Sequence, residues 1–385
     1  MDLDSESLAL HRKARGKIAV QGKVPLKTCR DLSLAYTPGV AAASLEIAKD
    51  KGKAYEYTSK WNSVAVVSNG TAVLGLGDIG PEAALPVMEG KAILFKEFAG
   101  LDAWPICITP REPAKIIETV KAIAPTFGGI NLEDIASPAC FEVTDVLKRE
   151  LDIPVWHDDQ DGTAIVVLAA LQNALKLAGK KLATAKIAIN GAGAAGSAIT
   201  KFLVKAGAKN MLVCDKIGIL AGQNGLPKHM RELSKLTNKA SKTGTLSDAL
   251  NGADVFIGVS KAGLVSREMV ASMAPKSIVF AMANPEPEIK PEDAKKAGAF
   301  IVGTGRSDYP NQINNVLAFP GVMKGAMQAR AKITHAMMAA ASKAISDYVP
   351  EKELSRENIV PSALDKGVAK AVSKAVAEAA QSHRR

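Results

Sequence analysis

Cysteine is scarce in this chain of 385 residues, and its four copies lie far apart. The positions are Cys29, Cys107, Cys140 and Cys214. None of them belongs to a CxxC pair or to a Cys/His spacing that zinc sites use. The sequence therefore predicts neither a disulfide framework nor a thiolate metal centre, and we expect reduced, mostly buried thiols.

Long apolar runs are also missing from the sequence. No run approaches the roughly 18 residues that a membrane-spanning helix needs. The polar N-terminus, MDLDSESLALHRKARGK, contains no apolar segment of signal-peptide length. We therefore expect a cytoplasmic protein with no membrane partner.

Aromatic residues make up only 4% of the chain, while apolar residues make up 47% and charged residues 23%. This composition is typical of a globular protein. The 49 Lys and Arg exceed the 39 Asp and Glu, which gives a net charge of +10. No dense basic block is interleaved with aromatic residues, so a nucleic-acid partner is not expected. Small anionic ligands fit the scattered positive charge better.

The length of the chain favours two domains, because a single hydrophobic core seldom grows this large. From residue 186 to about 303, short apolar runs alternate with helical stretches, a pattern that predicts a doubly wound parallel sheet. The runs expected to form buried strands cover 186–190, 210–215, 253–260, 277–285 and 299–305.

The first part of the chain is expected to form a separate α/β unit. It has a predicted hairpin over 63–78 and strands at 104–109 and 154–159. A long apolar helix over 162–179, ended by Gly179, would join the two units. After Pro320 the sequence predicts a helical tail that packs on the body. The expected domains are 1–160, 161–320 and 321–385.

A glycine-rich sequence at 191–196, GAGAAG, fits the GxGxxG pattern of dinucleotide-binding sites. It follows a predicted strand and precedes a predicted helix, which is the context that this motif requires. Gly191 would allow the tight turn, Gly193 the approach of the pyrophosphate, and Gly196 close packing of helix on strand. The candidate cofactor-binding residues of the loop are Gly191, Ala192, Gly193, Ala194, Ala195 and Gly196.

An acidic residue, Asp215, ends the next predicted strand 19 residues after Gly196. At this place a carboxylate accepts hydrogen bonds from the ribose hydroxyls of the adenosine, which favours NAD. The next residue, Lys216, could instead meet a 2′-phosphate. NADP therefore stays open as the cofactor.

Two acidic pairs, Glu133-Asp134 and Asp158-Asp159, stand just beyond predicted strands. Carboxylates that converge there would repel one another unless a cation or protons compensated. Ligation by oxygen atoms suits Mg²⁺ or Mn²⁺. Alternatively these are solvated loop acids, with Asp161 as the N-cap of the helix that follows. His157 has no Cys or His partner and is left out of the metal site.

Eight short motifs occur in the order found in malic enzymes and together span nearly the whole chain. They are YTPGVA (36–41), LGLGD (74–78), GKAILFKEFAG (90–100), LED (132–134), HDDQDGTA (157–164), NGAGAAG (190–196), ANPEPE (283–288) and NNVLAFPG (314–321). The chain resembles the short bacterial and archaeal malic enzymes. This resemblance implies an N-terminal α/β substrate domain and a C-terminal Rossmann-type dinucleotide domain.

The resemblance also implies a reaction. Malate would be oxidised by NAD or NADP and decarboxylated to pyruvate and CO₂, with Mg²⁺ or Mn²⁺ bound. Tyr36 of YTPG would be the general acid, and Lys91 of GK would be the general base. Lys96 would have a supporting role.

The remaining site residues follow from the same match. The metal ligands would be Glu133, Asp134 and Asp159, and Asp158 would tune the catalytic lysine. Asn284 and Asn314 would contact substrate or nicotinamide, with Asn315 beside them. The match implies a homodimer or a larger homo-oligomer.

The chain departs from other malic enzymes in two places. Large animal and plant members carry an arginine before LGLGD that grips a substrate carboxylate, whereas this chain has Ala72. How the second carboxylate of malate is held therefore stays open. The sequence ends at Arg385, so we expect no phosphotransacetylase-like extension.

Two other functions remain to be distinguished from this one. A Rossmann dehydrogenase of another hydroxy acid or of an amino acid would share the cofactor site but release no CO₂. A redox-sensing or anion-binding module would keep the glycine-rich turn without needing Tyr36, Lys91 and the acids together.

Overall fold

Ten strands form two separate sheets in the computed structural model, which describes residues 3–73 and 75–382. The strands are β1 (Ser63–Ser68), β2 (Asp102–Cys107), β3 (Gly129–Leu132), β4 (Val155–His157), β5 (Lys186–Asn190), β6 (Asn210–Asp215), β7 (Gly218–Ile219), β8 (Val255–Gly258), β9 (Ile278–Ala281) and β10 (Ile301–Thr304). Leu74 of LGLGD and residues 1–2 and 383–385, which belong to the first and last expected domains, lie outside the described residues.

Sixteen α-helices surround these sheets within the described ranges. The first eight are α1 (Leu3–Ala14), α2 (Cys29–Ala35), α3 (Val40–Lys49), α4 (Ala54–Tyr57), α5 (Pro81–Ala99), α6 (Pro113–Ile123), α7 (Ala139–Glu150) and α8 (Thr163–Ala178). The others are α9 (Ala194–Lys205), α10 (Lys228–Thr237), α11 (Leu246–Leu250), α12 (Arg267–Ala271), α13 (Pro291–Lys296), α14 (Phe319–Gln328), α15 (His335–Tyr348) and α16 (Lys366–Ser382).

The first sheet is parallel, with the strand order β2-β1-β3-β4. The hairpin predicted over 63–78 is wrong. Strand β1 is buried along its whole length and pairs with two parallel neighbours, so it needs no antiparallel partner. After Ser68 the chain turns at Gly70, which has a left-handed φ of 67°. The turn brings Gly70 against Gly80, and only glycine fits there, since a Cβ at Gly70 would lie 2.1 Å from the Gly80 carbonyl oxygen.

The second sheet has the strand order β10-β9-β8-β5-β6-β7, which is the order of dinucleotide-binding folds. The expected α/β class with a Rossmann-type sheet is confirmed. Strands β5 and β6 have the predicted bounds, whereas β8, β9 and β10 are shorter than the apolar runs that predicted them. The last strand, β7, is a two-residue segment antiparallel to β6, so the sheet is not parallel throughout.

The apolar helix predicted over 162–179 is α8, and Gly179 ends it in the left-handed conformation with φ 70°. Asp161 is not its N-cap. A single π-helical turn, Asp158–Gly162, precedes α8, and the Asp161 carboxylate instead accepts hydrogen bonds from Lys148 Nζ (2.6 Å) and His157 N (3.2 Å).

The π-helical turn and α8 together form a helical stretch of 21 residues, Asp158–Ala178, long and apolar enough to cross a membrane. The apolar runs of the sequence predicted no stretch of this length. However, 83% of its most apolar window is buried inside the protein, which identifies it as a core helix. One apolar cluster joins α8 to side chains of both sheets and of the C-terminal helices.

The C-terminal helices pack on the body of the protein. Helix α16 lies against α14, α15 and α5, and α15 also contacts α8. Glycines allow α14 and α16 to approach closely: a Cβ at Gly325 would lie 2.5 Å from the Ser373 carbonyl oxygen and 2.8 Å from Val376 Cβ.

The N-terminal helices contrast with this packing. Helices α1, α2, α3 and α4 contain no buried residue. Large apolar side chains of this region are exposed instead, namely Leu3, Leu8, Leu10, Ile18, Val20, Val24, Leu26, Leu32, Leu34, Tyr36, Val40, Leu45 and Tyr57. We refer to these residues as the N-terminal apolar surface.

The close approach of α14 to α16 predicts a large effect of a small substitution. Gly325→Ala forces a methyl group against backbone and Cβ atoms that cannot rotate away, so we expect it to lower the free energy of unfolding by about 1–3 kcal/mol. Gly90→Ala in α5 is the matched control, because its Cβ would meet only Lys17 Nζ at 3.6 Å. The control substitution should raise the free energy of unfolding by up to about 1 kcal/mol, because alanine favours a helix more than glycine does. Equal changes in urea unfolding of the two variants would contradict the packing argument.

Candidate active site

Acidic side chains follow two neighbouring strands of the first sheet, β3 and β4. Glu133 and Asp134 come directly after β3, and Asp159 follows β4 by two residues. Because these strands are parallel neighbours, their carboxyl ends meet at one edge. One carboxylate oxygen of each of the three residues lies within 4.8 Å of the others. We refer to Glu133, Asp134 and Asp159 as the acid cluster.

The backbone fixes the geometry of the acid cluster. Asp134 has a left-handed φ of 52°, a conformation that is uncommon for a residue other than glycine and that is often found at functional sites. Its N–H donates to Asp159 Oδ2 at 3.0 Å, which joins the two loops. Glu133 Oε2 accepts a hydrogen bond from the buried amide of Asn131 at 2.9 Å.

Burial and the neighbouring negative charges shift the pKa of Glu133. Burial raises the pKa of Glu133 well above its ordinary value, and the nearby charges of Asp158, Asp159 and Asp134 raise it further, against the opposing effect of Lys91. A dication would relieve this repulsion, and carboxylate oxygen atoms are the ligands that Mg²⁺ and Mn²⁺ prefer. The donor set therefore fits such an ion.

Lys91 lies on α5 with its side chain 12% exposed, directed at the same acids. Its Nζ is 2.5 Å from Asp158 Oδ2 and 3.0 Å from Glu133 Oε1. It also lies 4.3 Å from the ring centroid of Phe319, within cation–π distance. Burial lowers the pKa of Lys91, but the charges of Asp158 and Glu133 outweigh burial and raise it overall. Lys91 is therefore a protonated ammonium in this arrangement.

Asp158 is held in place from several sides. The indole N–H of Trp156 donates to its Oδ1 at 3.1 Å, and the amide of Asn315 donates to its Oδ2 at 3.2 Å. Gly162 makes room for the carboxylate, since a Cβ there would lie 2.2 Å from Asp158 Oδ1. Trp156 was not among the predicted site residues, although two residues that are two positions apart lie on one side of an extended chain.

The three asparagines implied by the resemblance, Asn315, Asn314 and Asn284, have different surroundings. Asn315 also donates to Thr163 Oγ1 at 3.1 Å, so its amide supports Asp158 and the start of α8. The side-chain oxygen of Asn314 accepts from Val316 N at 2.9 Å and caps the short turn that follows. Asn284 is exposed just after β9.

The loop of LGLGD meets Asn284 from the first part of the chain. A Cβ at Gly75 would lie 2.3 Å from the Asn284 carbonyl oxygen, and a Cβ at Gly305 would lie 2.8 Å from Asn284 Nδ2. The backbone can approach this closely only because both positions are glycine. The two parts of the chain therefore meet at the carboxyl end of the second sheet.

His157 is fully buried beside the acid cluster, and its Nδ1 lies 3.7 Å from Asp159 Oδ2, beyond hydrogen-bond distance. Neither ring nitrogen has a hydrogen-bond partner among the described residues. Burial lowers the pKa of His157, against the opposing charges of Asp159 and Asp161. The imidazole is therefore neutral and lies beside the acid cluster without belonging to it.

The glycine-rich loop has the geometry that its sequence predicts. Gly191 has φ 114°, and a Cβ at Gly196 would lie 1.7 Å from the Gly191 carbonyl oxygen. A Cβ at Gly193 would meet nothing within 4 Å, so space is open where a pyrophosphate would lie. Asp215 Oδ2 accepts from Ala192 N at 3.1 Å, and its Oδ1 accepts from Lys216 N at 2.8 Å.

The glycine-rich loop also lies next to the acids. Helix α9, which begins at Ala194, packs against the turn Asp158–Gly162. Across the same boundary, Phe141 of α7 contacts the ring of His229 of α10, with the ring centroids 5.0 Å apart. The candidate cofactor site and the acid cluster are therefore neighbours, and we refer to the region between them as the cleft.

Two of the residues implied by the resemblance lie away from this cleft. Tyr36 is 66% exposed on the N-terminal apolar surface, and no hydrogen bond joins its side chain to Lys91 or to the acids among the described residues. Lys96 is exposed on α5, where its Nζ pairs with Asp102 Oδ1 at 2.7 Å.

Comparison with known proteins gives matches over most of the chain. Residues 15–114 match the family described as "Malic enzyme, N-terminal domain", and residues 160–381 match "Malic enzyme, NAD binding domain". The bifunctional malic/malolactic enzyme of Bacillus subtilis is 56% identical over 99% of this chain and 93% of its own length. The NAD-dependent malic enzyme of Geobacillus stearothermophilus is 55% identical over 95% of this chain and 77% of its own.

Solved structures agree with this result. The crystal structure of malic enzyme from Pyrococcus horikoshii superposes with a TM-score of 0.95 and 52% identity, covering 100% of this chain and 92% of that one. The structure of NAD-dependent malic enzyme from Thermotoga maritima gives 0.93 and 51%, covering 98% and 99%. The resemblance carried by the eight motifs is confirmed, and this chain belongs to the malic enzyme family, which oxidises and decarboxylates malate with NAD or NADP.

Proposed function

We propose that the cleft between the acid cluster and the glycine-rich loop is where this chain converts malate to pyruvate and CO₂ while reducing NAD or NADP. One observation carries the assignment: Lys91 Nζ contacts both Asp158 and Glu133, directly beside two further carboxylates. A proton acceptor, a candidate dication site and a dinucleotide loop thereby share one cleft. A dehydrogenase that did not decarboxylate would have less use for the acid cluster.

Glu133, Asp134 and Asp159 would hold Mg²⁺ or Mn²⁺. When bound, the ion supplies Lewis acidity to the 2-oxygen of malate and to the ketone that follows oxidation. The chain contributes a set of ligands whose backbone is already joined by the Asp134 N–H to Asp159 bond. Such preorganisation reduces the cost of assembling the site.

Lys91 would act as the general base. Its ammonium is stabilised by Glu133 and Asp158, and Glu133 is also a candidate metal ligand. If Glu133 held a dication, less of its negative charge would act on the ammonium, and this would lower the pKa of Lys91. A neutral Lys91 would be able to accept the proton of the 2-hydroxyl group of malate. Asp158 keeps the amine in place throughout.

The cofactor would bind along the carboxyl ends of the second sheet. Gly191 to Gly196 would face the pyrophosphate, and Asp215 would accept from the adenosine ribose. Asn284 would lie at the nicotinamide, and Asn314 at the substrate. We propose NAD as the preferred cofactor, because a 2′-phosphate beside Asp215 would meet like charge, although Lys216 is adjacent.

We propose that a second copy of the chain covers the N-terminal apolar surface. An exposed apolar surface of this extent marks an interaction site in a soluble protein. In a two-fold dimer the same surface of each subunit would be buried, and Tyr36 of the partner subunit would reach the acids and protonate the enol of pyruvate. Tyr36 is 66% exposed, and no hydrogen bond joins its side chain to Lys91 among the described residues, which supports this arrangement.

We also propose the domain division 1–160, 161–320 and 321–385. The NAD-binding family domain begins at residue 160, which supports the first boundary. The reaction uses small soluble molecules, and we propose a cytoplasmic location on that ground.

The reaction is tested with malate, Mn²⁺ and NAD or NADP. Wild-type protein should form NADH, pyruvate and CO₂ in equal amounts, faster with NAD than with NADP. Lys91→Ala should lower kcat about 10²–10⁴-fold, because the base is lost, while NAD binding stays intact. Lys343→Ala, on the exposed side of α15, is the control and should change kcat less than about twofold.

Product analysis decides between the outcomes. Lactate is measured in the same samples, because the Bacillus subtilis relative is named for malolactic activity as well. NADH formation without CO₂ would point to the non-decarboxylating dehydrogenase instead. A fully active Lys91→Ala variant would show that another group is the base.

The acid cluster is tested by metal binding rather than by activity. Asp159→Asn should raise the dissociation constant for Mn²⁺, measured by electron paramagnetic resonance, by at least about tenfold, because one of three carboxylate ligands is lost. Asp152→Asn is the matched control, since this carboxylate is fully exposed. Equal Mn²⁺ affinities in the two variants would rule out Asp159 as a ligand.

Sharing of the site between subunits is tested by mixing two inactive variants. Chains with Lys91→Ala and chains with Tyr36→Phe are co-expressed so that they form heterodimers. If Tyr36 acts in the site of the partner subunit, one site of each heterodimer carries both substitutions and the other site carries neither. Random pairing should then restore about a quarter of wild-type activity. Lys91→Ala mixed with Asp158→Asn should restore none, because both residues belong to the same chain's site. No recovery in the first mixture would place Tyr36 in cis.

A further inference from the structure

A further buried carboxylate, Glu288, lies on the side of the cleft formed by the second sheet. It belongs to ANPEPE, between β9 and α13, and none of its surface is exposed. Among the described residues no Lys, Arg or His side chain lies within ion-pair distance of it, unlike Glu133. Burying a carboxylate without a cation is costly, so its placement requires a compensating interaction.

Backbone N–H groups provide this interaction. Glu288 Oε1 accepts from Ser260 N at 3.0 Å, and Oε2 accepts from Ala283 N at 3.0 Å. Ser260 belongs to the loop after β8, and Ala283 belongs to the loop after β9. One carboxylate therefore joins the loops at the carboxyl ends of two adjacent parallel strands.

The surroundings of Glu288 are built to admit it. A Cβ at Gly258, the last residue of β8, would lie 2.4 Å from Glu288 Cδ, so the carboxylate occupies the space that a side chain would take. Main-chain bonds from Gly263 N to the Pro287 oxygen and from Val265 N to the Glu288 oxygen hold the segment in register. Burial raises the pKa of Glu288, and the hydrogen bonds from Ser260 and Ala283 oppose that rise.

The two loops that Glu288 joins lie where the nicotinamide half of the cofactor should bind. In a doubly wound sheet the dinucleotide extends across the carboxyl ends of the strands, with its adenosine near the second strand and its nicotinamide toward the fourth and fifth. Here those strands are β6, β8 and β9. Asn284, proposed above as a nicotinamide contact, directly follows Ala283, one of the two donors to Glu288.

We propose that Glu288 is a positioning residue that holds the loops after β8 and β9 at the separation required by the nicotinamide. It acts through the backbone of Ser260 and Ala283 rather than by touching the substrate. The adenosine half of the cofactor, bound at the glycine-rich loop and Asp215, does not depend on it. This inference rests on the proposed placement of the nicotinamide beside Asn284.

The test compares NAD⁺ with ADP-ribose, which has the same adenosine diphosphate and ribose but lacks the nicotinamide. Glu288→Gln keeps the shape of the side chain, but its NH₂ group must face one of the two backbone donors, so one loop is released. By calorimetry on the full chain, the dissociation constant for NAD⁺ should rise about tenfold or more, and that for ADP-ribose should change less than about twofold. In steady state, KM for NAD should rise more than kcat falls.

Glu286→Gln is the matched control, because this carboxylate belongs to the same motif but is exposed and pairs with Arg306. It should leave the ratio of the two dissociation constants unchanged. Ser260→Pro is a second variant, at an exposed loop position, that deletes one donor N–H without altering Glu288. It should raise the dissociation constant for NAD⁺ selectively, even if Glu288→Gln fails to fold.

Two outcomes would overturn the inference: an equal loss of affinity for NAD⁺ and ADP-ribose, or no loss for either, in the folded variants. The first would mean that Glu288 serves only the stability of the domain. Both binding measurements are made without malate. A wild-type protein that bound NAD⁺ but did not turn over malate would contradict the proposed function and leave this comparison intact.

Discussion

The contact of one lysine with two buried carboxylates is the interaction on which the proposed chemistry of this protein depends. Lys91 compensates part of the charge of Asp158 and Glu133, while Asp134 and Asp159 stand within reach of the same space. Four acids share one ammonium there, and a dication held by the acid cluster would reduce the repulsion between them. We propose that binding of a dication would be coupled to activation of Lys91, because Glu133 is both a candidate metal ligand and a contact of Lys91.

Groups from distant parts of the chain hold this contact together. Trp156 reaches Asp158 from the last strand of the first sheet, whereas Asn315 and Phe319 come from the segment that starts α14. The C-terminal helices thus complete a site whose acids belong to the N-terminal part. A buried polar network of this kind stabilises the structure only when each polar group has a hydrogen-bond partner. Gly162 contributes in another way, because its missing side chain leaves room for the Asp158 carboxylate.

The cofactor half of the cleft relies on backbone geometry more than on charged side chains. Gly191 and Gly196 allow helix α9 to begin directly against β5, and α9 in turn packs on the turn that carries Asp158. Glu288 joins the loops at the other end of the sheet through two main-chain donors. Both devices fix loops between strands, which is how α/β folds place ligands precisely.

The sequence by itself determined the strands of the second sheet, apart from the short β7, and the family to which the chain belongs. Buried parallel strands are continuous apolar runs, so their positions are visible locally, and glycines and acids mark the loops between them. Only the tertiary structure decided that the segment after β1 folds into a glycine turn, and that Asp161 pairs with Lys148 instead of capping α8. It also decided that Trp156 and Asn315 converge on Asp158, and that Tyr36 lies apart from Lys91 on an exposed surface. These outcomes depend on contacts between residues far apart in the chain, which no local pattern encodes.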